Sequence, residues 1–171
     1  DWADLARQRE AARSMGVVLS DRDPDESAVV MIQLLKEGRG ADETLYYRKL
    51  GTFHFTSERK RVTVIYERVT RREAMVDGKV RAVYDSIGEG EVYVMCKGQD
   101  TVMTELLHNP SNDWSKVQRA MQHMCKAGLR TMLLAEARVS MSWWTRVQAE
   151  YERLDALCLD RTRSDTPVLK M

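Results

Sequence analysis

The order of apolar and polar positions divides the chain into a helical beginning, a strand-rich middle and a helical last third. Residues 1–15 are rich in Ala, Arg and Leu, which favours a helical lead-in. Gly16 interrupts this segment, and residues 17–19 then have the composition of a short strand. Pro24 excludes Asp23 from the helical region, and apolar positions at 28, 29, 31, 32, 34 and 35 follow at helical spacing. This pattern predicts a helix from about residue 24 to residue 35.

The middle of the chain changes to a two-residue period. Residues 44–55, 61–68, 80–84 and 91–96 are rich in β-branched and aromatic side chains, and Asp77-Gly78 is a turn signal. Because the connections are short, neighbouring strands are expected to pair antiparallel. Residues 131–135 form a further apolar run, which predicts a central strand.

The last third returns to helical patterns. Residues 100–107, 115–126 and 140–159 predict helices, with Gly128 just beyond the second one, and residues 161–171 are expected to fray. The predicted fold class is therefore α/β of the α+β type, a twisted antiparallel sheet flanked by helices. No repeat or linker divides the chain, so residues 1–171 are interpreted as one domain.

Composition narrows the functional classes. The 171 residues carry a formal net charge of +1, which argues against a nucleic-acid partner. No apolar stretch is long enough to insert into a membrane, and three cysteines without close spacing indicate reduced thiols in a cytosolic protein rather than disulfides or a metal site. The chain begins without an initiator Met or a signal peptide, so we expect a segment of a longer protein.

Four segments, in a fixed order, carry a family resemblance. They are DPDESA at 23–28, FTSERKR at 55–61, CKGQDTV at 96–102 and GLRT at 128–131. They resemble the SPDE-x-A, FTS-x-RKR-M, CKGADTV and GLRT segments of phospholipid-transporting P-type ATPases, the flippases. The resemblance extends from about residue 19 to residue 151 and implies the nucleotide-binding domain of such an ATPase, with the fold of that domain.

The resemblance implies which residues hold ATP. Phe55 would stack on adenine and Lys60 would lie along the nucleotide. An aromatic face can stack on any base, although Phe53 and Phe55 could instead fill a core on one strand face.

Lys97 and Gly98 correspond to the family's lysine–glycine pair in the pocket. A strand-end lysine followed by a turn glycine is the alternative. Gln99 replaces the usual small Ala, and its amide could add a hydrogen bond or crowd the pocket.

Arg130 matches the family arginine at the phosphates, and Glu26 matches the glutamate near the adenine amino group. A solvated arginine and a glutamate that complements a helix dipole are the alternatives. Thr56, Ser57 and Arg59 are second-tier candidates for the pocket rim.

The implied function is to hold ATP while an aspartate on another domain is phosphorylated, which powers lipid flipping in the parent translocase. The phosphorylatable D-K-T-G-T segment is absent from this sequence, so the chain alone is expected to bind ATP without hydrolysing it. Mg²⁺ and the phosphorylation and actuator domains are the partners that the parent would supply, at the cytoplasmic face of a membrane. The alternative function is a degenerate flippase-like domain used for regulation or interaction within a fusion protein.

Overall fold

The computed structural model describes residues 2–22, 28–35, 41–88, 91–108 and 113–164. Within these ranges the elements follow in the order α1 Trp2–Ser14, β1 Val17–Arg22, β2 Val29–Leu35, β3 Ala41–Phe53, β4 Arg61–Val76, β5 Lys79–Ser86, β6 Val92–Gln99, α2 Asp100–Leu106, α3 Trp114–Lys126, β7 Met132–Val139 and α4 Met141–Ser164. The expected mixed α/β class is confirmed. Of the expected fraying tail, residues 161–164 continue α4, and residues 165–171 lie outside the described ranges.

The seven strands of the described chain form one antiparallel sheet, with six in the order β1-β2-β3-β4-β6-β7 and β5 paired to β4 beside this path. The short turns predicted the antiparallel pairing within the middle of the chain, whereas β7, expected as a central strand, lies at the end of this order. β4 is the longest strand. Its first half pairs with β6, and its second half pairs with β5 through the predicted turn at Asp77-Gly78. The β4–β5 hairpin therefore leaves the path of the main sheet.

The predicted helix from residue 24 to residue 35 is wrong over 29–35, which form β2. Apolar residues at nearly every position fit a helix stripe and a buried strand equally well. Val29 is completely buried, and β2 pairs with β1 on one side and β3 on the other. Sheet pairing on both sides decides the conformation, and local sequence signals did not reveal it.

The core consists of two clusters along β4. Val29, Val69 and Tyr84 form one cluster, and Ile65, Val92 and Trp144 form the other. The second cluster is where α4 packs on the sheet. Trp143 packs against this cluster, and its neighbour Trp144 is buried within it. Val92 and Val139 of this cluster pair at one end of β6 and β7, and the candidate site lies at the other end, where Gln99 pairs with Met132.

Candidate functional site

The turn between β3 and β4 exposes an aromatic ring. The Lys60 backbone N–H donates to the Thr56 carbonyl at 2.8 Å, and the Arg59 N–H donates to the Thr56 hydroxyl at 3.1 Å. Phe53, the last residue of β3, packs against the core and meets the ring of Tyr151 edge to face at 5.2 Å. Phe55 is instead 63% exposed. The possibility that both phenylalanines fill the core therefore holds for Phe53 alone.

The Arg59 side chain stabilises the conformation of this turn. Its guanidinium donates to the His54 carbonyl at 2.8 Å and to the Thr63 hydroxyl at 3.3 Å, and it lies over the Phe53 ring at 5.6 Å. A side chain with these three contacts supports the backbone that presents Phe55. Arg59 and Thr56 are thus placed as parts of the turn.

Gly98 joins this turn to β6. The Gln99 N–H donates to the Lys60 carbonyl at 3.1 Å, and a Cβ at Gly98 would come within 2.6 Å of the Arg61 Cβ and 2.9 Å of the Lys60 carbonyl. The missing side chain lets the neighbouring backbone approach, and this close approach sets Lys60 beside Gln99.

The end of α3 brings a second cation to the same place. Gly128 has a φ of +75°, its N–H donates to the Cys125 carbonyl at 2.9 Å, and the Leu129 N–H donates to the Met124 carbonyl at 3.0 Å. These two bonds are those of a Schellman motif, which closes a helix with a left-handed residue. The chain is thereby redirected, and Leu129 and Arg130 follow immediately.

These segments surround an open cavity of about 730 Å³. Its lining comes from the β3–β4 turn, the junction of β6 with α2, and the stretch from α3 to β7: Phe55, Ser57, Lys60, Gln99, Asp100, Cys125, Leu129, Arg130, Thr131 and Met132. Three of the lining side chains are large, apolar and more than half exposed, namely Phe55, Leu129 (59%) and Met132 (55%). Exposed apolar surface gathered in a concave site is typical of ligand binding.

Two cations and one carboxylate give the cavity its charge. Lys60 and Arg130 are exposed, and neither has an ion-pair partner among the residues described. Asp100 accepts hydrogen bonds from the Thr131 hydroxyl and, at 2.7 Å, from the Thr101 N–H. The Thr131 hydroxyl and then the Thr101 N–H lower the pKa of Asp100, so its carboxylate is charged at neutral pH. The cavity therefore has an excess of one positive charge from these three side chains.

The sequence-predicted residues divide into three groups. Phe55, Lys60, Arg130, Ser57 and Gln99 line the cavity together. Lys97 is half-buried on β6, two residues before Gln99 and so on the same strand face, about 7 Å along the strand. It lies beside the described lining and is not part of it. Glu26 lies outside the described residues.

Five lining residues were missed as site residues: Asp100, Cys125, Leu129, Thr131 and Met132. Three of them, Asp100, Leu129 and Thr131, lie within the motif segments that carried the family resemblance, so the segments contained the signal. Cys125 and Met132 have no such signal. Their position depends on the closing turn of α3 and on the pairing of Met132 with Gln99.

Two absences apply to the described part of the chain. No three His, Cys, Asp or Glu side chains there come together in a way that would hold a metal ion. None of the helices there combines the length and the apolar character needed to cross a bilayer.

Comparison with known proteins gives three curated relatives of one kind. The chain is 29% identical over 156 residues to phospholipid-transporting ATPase NEO1 of Saccharomyces cerevisiae, covering 91% of this chain. It is 28% identical over 137 residues to phospholipid-transporting ATPase FetA of Mus musculus and 28% identical over 153 residues to phospholipid-transporting ATPase IC of Xenopus tropicalis, covering 78% and 88% of this chain. No family model matches the chain.

The resemblance to phospholipid-transporting P-type ATPases is thus confirmed over most of the chain. The chain spans only about a tenth of the length of these relatives, at 11%, 9% and 10%. The chain is similar to a part of these ATPases, and the antiparallel sheet with flanking helices is compatible with the nucleotide-binding domain that the motifs indicated.

Proposed function

We propose that this domain binds ATP in the cavity between the β3–β4 turn, the start of α2 and the end of α3. The observation that carries the proposal is the exposed ring of Phe55 in one cavity with two exposed aliphatic side chains and two cations. A nucleotide has a flat apolar base at one end and polyanionic phosphates at the other. The cavity offers a complementary surface to both ends.

The base end is assigned to Phe55, with Leu129 and Met132 as the apolar wall beside it. A ring that is 63% exposed before binding removes apolar surface from water when a base stacks on it. The flanking aliphatic side chains would exclude water from the other edges of the base. This part of the cavity therefore supplies affinity.

The phosphate end is assigned to Lys60 and Arg130. An exposed ammonium and an exposed guanidinium without ion-pair partners in the described chain can both turn to a phosphate oxygen, and the guanidinium can do so through two parallel N–H bonds. Lys97 would be a third cation reaching the rim along β6, and Glu26 remains a proposed partner of the adenine amino group. Asp100 carries a negative charge on the cavity wall and would repel the phosphates of ATP. The proposed binding mode therefore keeps the phosphates away from this carboxylate.

In the longer protein, we propose that this domain positions ATP for transfer of the terminal phosphoryl group to an aspartate on a separate phosphorylation domain. Phosphoryl transfer depends mainly on placing the phosphates and neutralising their charge, which is what Lys60 and Arg130 would do. Mg²⁺ would accompany ATP in the parent. The names of the relatives suggest that the parent is a phospholipid-translocating ATPase with this domain on the cytoplasmic side of a membrane.

Titration calorimetry on the domain tests the stacking role. We expect Phe55→Ala to weaken ATP binding by about 1–3 kcal/mol, or roughly five- to a hundred-fold, because base stacking is lost. Met75→Ala is the matched control, since Met75 is also a large exposed apolar residue (70%) but lies on the β4–β5 hairpin. An equal affinity of the Phe55→Ala variant and the control would remove Phe55 from the site.

The alternative function, a flippase-like domain used for regulation, predicts a different result for the unmodified domain. It predicts no heat of binding in calorimetry and no change in the NMR spectrum when ATP is added to millimolar concentration. It also predicts a parent chain that lacks the phosphorylatable aspartate.

A further inference from the structure

Gln99 occupies a particular place in the cavity. It is the last residue of β6 and directly precedes α2, its N–H is bonded to the Lys60 carbonyl at 3.1 Å, and it pairs with Met132 of β7. Its backbone is therefore fixed between the turn that carries Phe55 and the strand that carries Met132. The half-buried side chain lines the same cavity as both.

The Gln99 amide has no structural task in the described chain. Gln99 is the N-cap residue of α2, yet its side chain makes no capping hydrogen bond to the helix, and it has no other hydrogen bond to a described residue. An amide carries two N–H donors and one carbonyl acceptor. A polar group of this kind beside an apolar wall is the usual source of orientation and specificity in a ligand site.

We propose that Gln99 is a specificity-determining residue that reads the edge of the nucleotide base and favours adenine over guanine. This proposal rests on the proposed nucleotide site and adds which of the two purine bases that site prefers. Phe55 cannot distinguish bases, because every base has a π-face that can stack. The discrimination must come from a group that bonds the edge of the base.

The chemistry of the amide matches adenine. Its carbonyl can accept from the adenine amino group while its N–H₂ donates to the neighbouring ring nitrogen, which is the pairing that glutamine makes with adenine in nucleic acids. In guanine an oxygen replaces that amino group. The same arrangement would then set two acceptors against each other.

The alternative to base recognition is that the Gln99 side chain only fills space in the cavity. The cavity measures about 730 Å³ with Gln99 in place, which is within the roughly 300–1,000 Å³ usual for small-molecule sites. The side chain therefore narrows a space that still has room for a ligand. Crowding would reduce affinity for every nucleotide alike, whereas edge reading changes the ratio between two bases.

The test is the ratio of ATP to GTP affinity, measured by calorimetry on the domain and two variants. We expect the unmodified domain to prefer ATP by about tenfold. Gln99→Ala should lose the part of this preference that Glu26 does not supply, by weakening ATP binding while GTP binding changes by less than about twofold. Gln99→Arg should move the ratio towards GTP, because an arginine donates to both acceptors, O6 and N7, that guanine presents on the same edge.

Gln148→Ala is the matched control, because Gln148 is an exposed glutamine of α4 that bonds Glu152 at 3.0 Å away from the cavity lining. It should leave both affinities unchanged. An unaltered ATP-to-GTP ratio in Gln99→Ala, with nucleotide still bound, would overturn the inference about Gln99 alone. A parallel rise of both affinities in that variant would assign crowding to Gln99 and also overturn it. Absence of binding to either nucleotide by the unmodified domain would instead overturn the proposed function.

Discussion

At the scale of single residues, the candidate site depends on the close approach of two strands at Gly98. Gly98 lets β6 approach β4 so closely that the Gln99 N–H reaches the Lys60 carbonyl. The resemblance placed Gly98 in the family's lysine–glycine pair, and the structure gives a packing reason for a glycine here. The contact joins the turn carrying Phe55 to the strand carrying Gln99.

Gly98→Ala is therefore expected to destabilise the domain by about 1–3 kcal/mol, because the added methyl would lie 2.6 Å from the Arg61 Cβ. Urea unfolding followed by tryptophan fluorescence measures the change. Lys97→Ala is the neighbouring control on the same strand, where no added atom meets the backbone. If both variants unfold at the same urea concentration, β6 has moved to accommodate the added methyl group without loss of stability, and the steric explanation is contradicted.

Asp100 makes stability depend on pH in the acid range. Its pKa is lowered from 3.8, first by the Thr131 hydroxyl and then by the Thr101 N–H. A carboxyl group whose pKa is lower in the folded state stabilises the fold above its ordinary pKa, and this contribution is lost as the pH falls through the folded-state value. We expect Thr131→Val to raise the pKa of Asp100 towards 3.8, as measured by carbon NMR of the carboxyl group. An unchanged titration curve would mean that the hydroxyl does not bond this carboxylate.

At the scale of elements, the closing turn of α3 determines where Arg130 lies. Gly128 adopts a φ of +75° and leaves open space around the position of a Cβ, so a substitution there is strained by the backbone conformation alone. The pattern of a helix followed by glycine predicted this end correctly. It did not predict that the turn would bring Leu129 and Arg130 into the cavity.

Gly128→Ala should cost roughly 1–2 kcal/mol in unfolding free energy, since an L-residue is unfavourable in the left-handed region. Gly128→Asn is the matched variant and should cost less, because asparagine tolerates that region. Chemical denaturation of both proteins gives the comparison. If Ala and Asn destabilise equally, the turn has changed its conformation and the strain is not the cause.

The conformation of β2 could not be predicted from the local sequence pattern. Val29 and the residues after it follow Pro24 and an acidic pair, which are good signals for the start of a helix. The pairing with β3, in which Val29 lies opposite Arg48, is a contact between distant parts of the sequence. Periodicity within one segment does not contain that information.

At the scale of the whole molecule, a partly buried ion pair connects the central sheet to the β4–β5 hairpin. The Arg48 guanidinium donates to Glu67 at 3.0 Å and to the Tyr84 carbonyl at 2.7 Å, and the Ser86 hydroxyl donates to the same carboxylate. Glu67 is 4% exposed. Three strands are thus joined through one carboxylate.

Arg48→Met is expected to destabilise the domain by roughly 3 kcal/mol, because it leaves the buried Glu67 carboxylate without its cation. Adding Glu67→Gln to this variant should recover part of the loss, since the buried charge is then removed. Thermal or urea unfolding of the single and double variants measures both steps. A double variant that is less stable than Arg48→Met would contradict the buried-charge explanation.

The sequence predicted six of the seven described strands, the antiparallel pairing of those joined by short turns, and five of the ten lining residues of the cavity, because these follow from strand periodicity, short turns and ordered motifs. Phe55 and Lys60 lie in one turn, whereas Arg130 is far along the chain, and the motif resemblance alone predicted that Arg130 meets them. Cys125 and Met132 could not be identified, since their position depends on how α3 ends and how β7 pairs. The site therefore depends on how the β3–β4 turn, the end of β6, the end of α3 and β7 come together, and no single segment of the sequence contains it.

The most direct test of the ATP site is an amide NMR titration of the labelled domain with ATP. The account predicts shifts concentrated in the cavity wall, at Phe55, Ser57, Lys60, Gln99 and the Leu129–Met132 stretch, with residues of the β4–β5 hairpin unaffected. Absence of any shift at millimolar ATP, or shifts confined to residues outside this cavity, would contradict it.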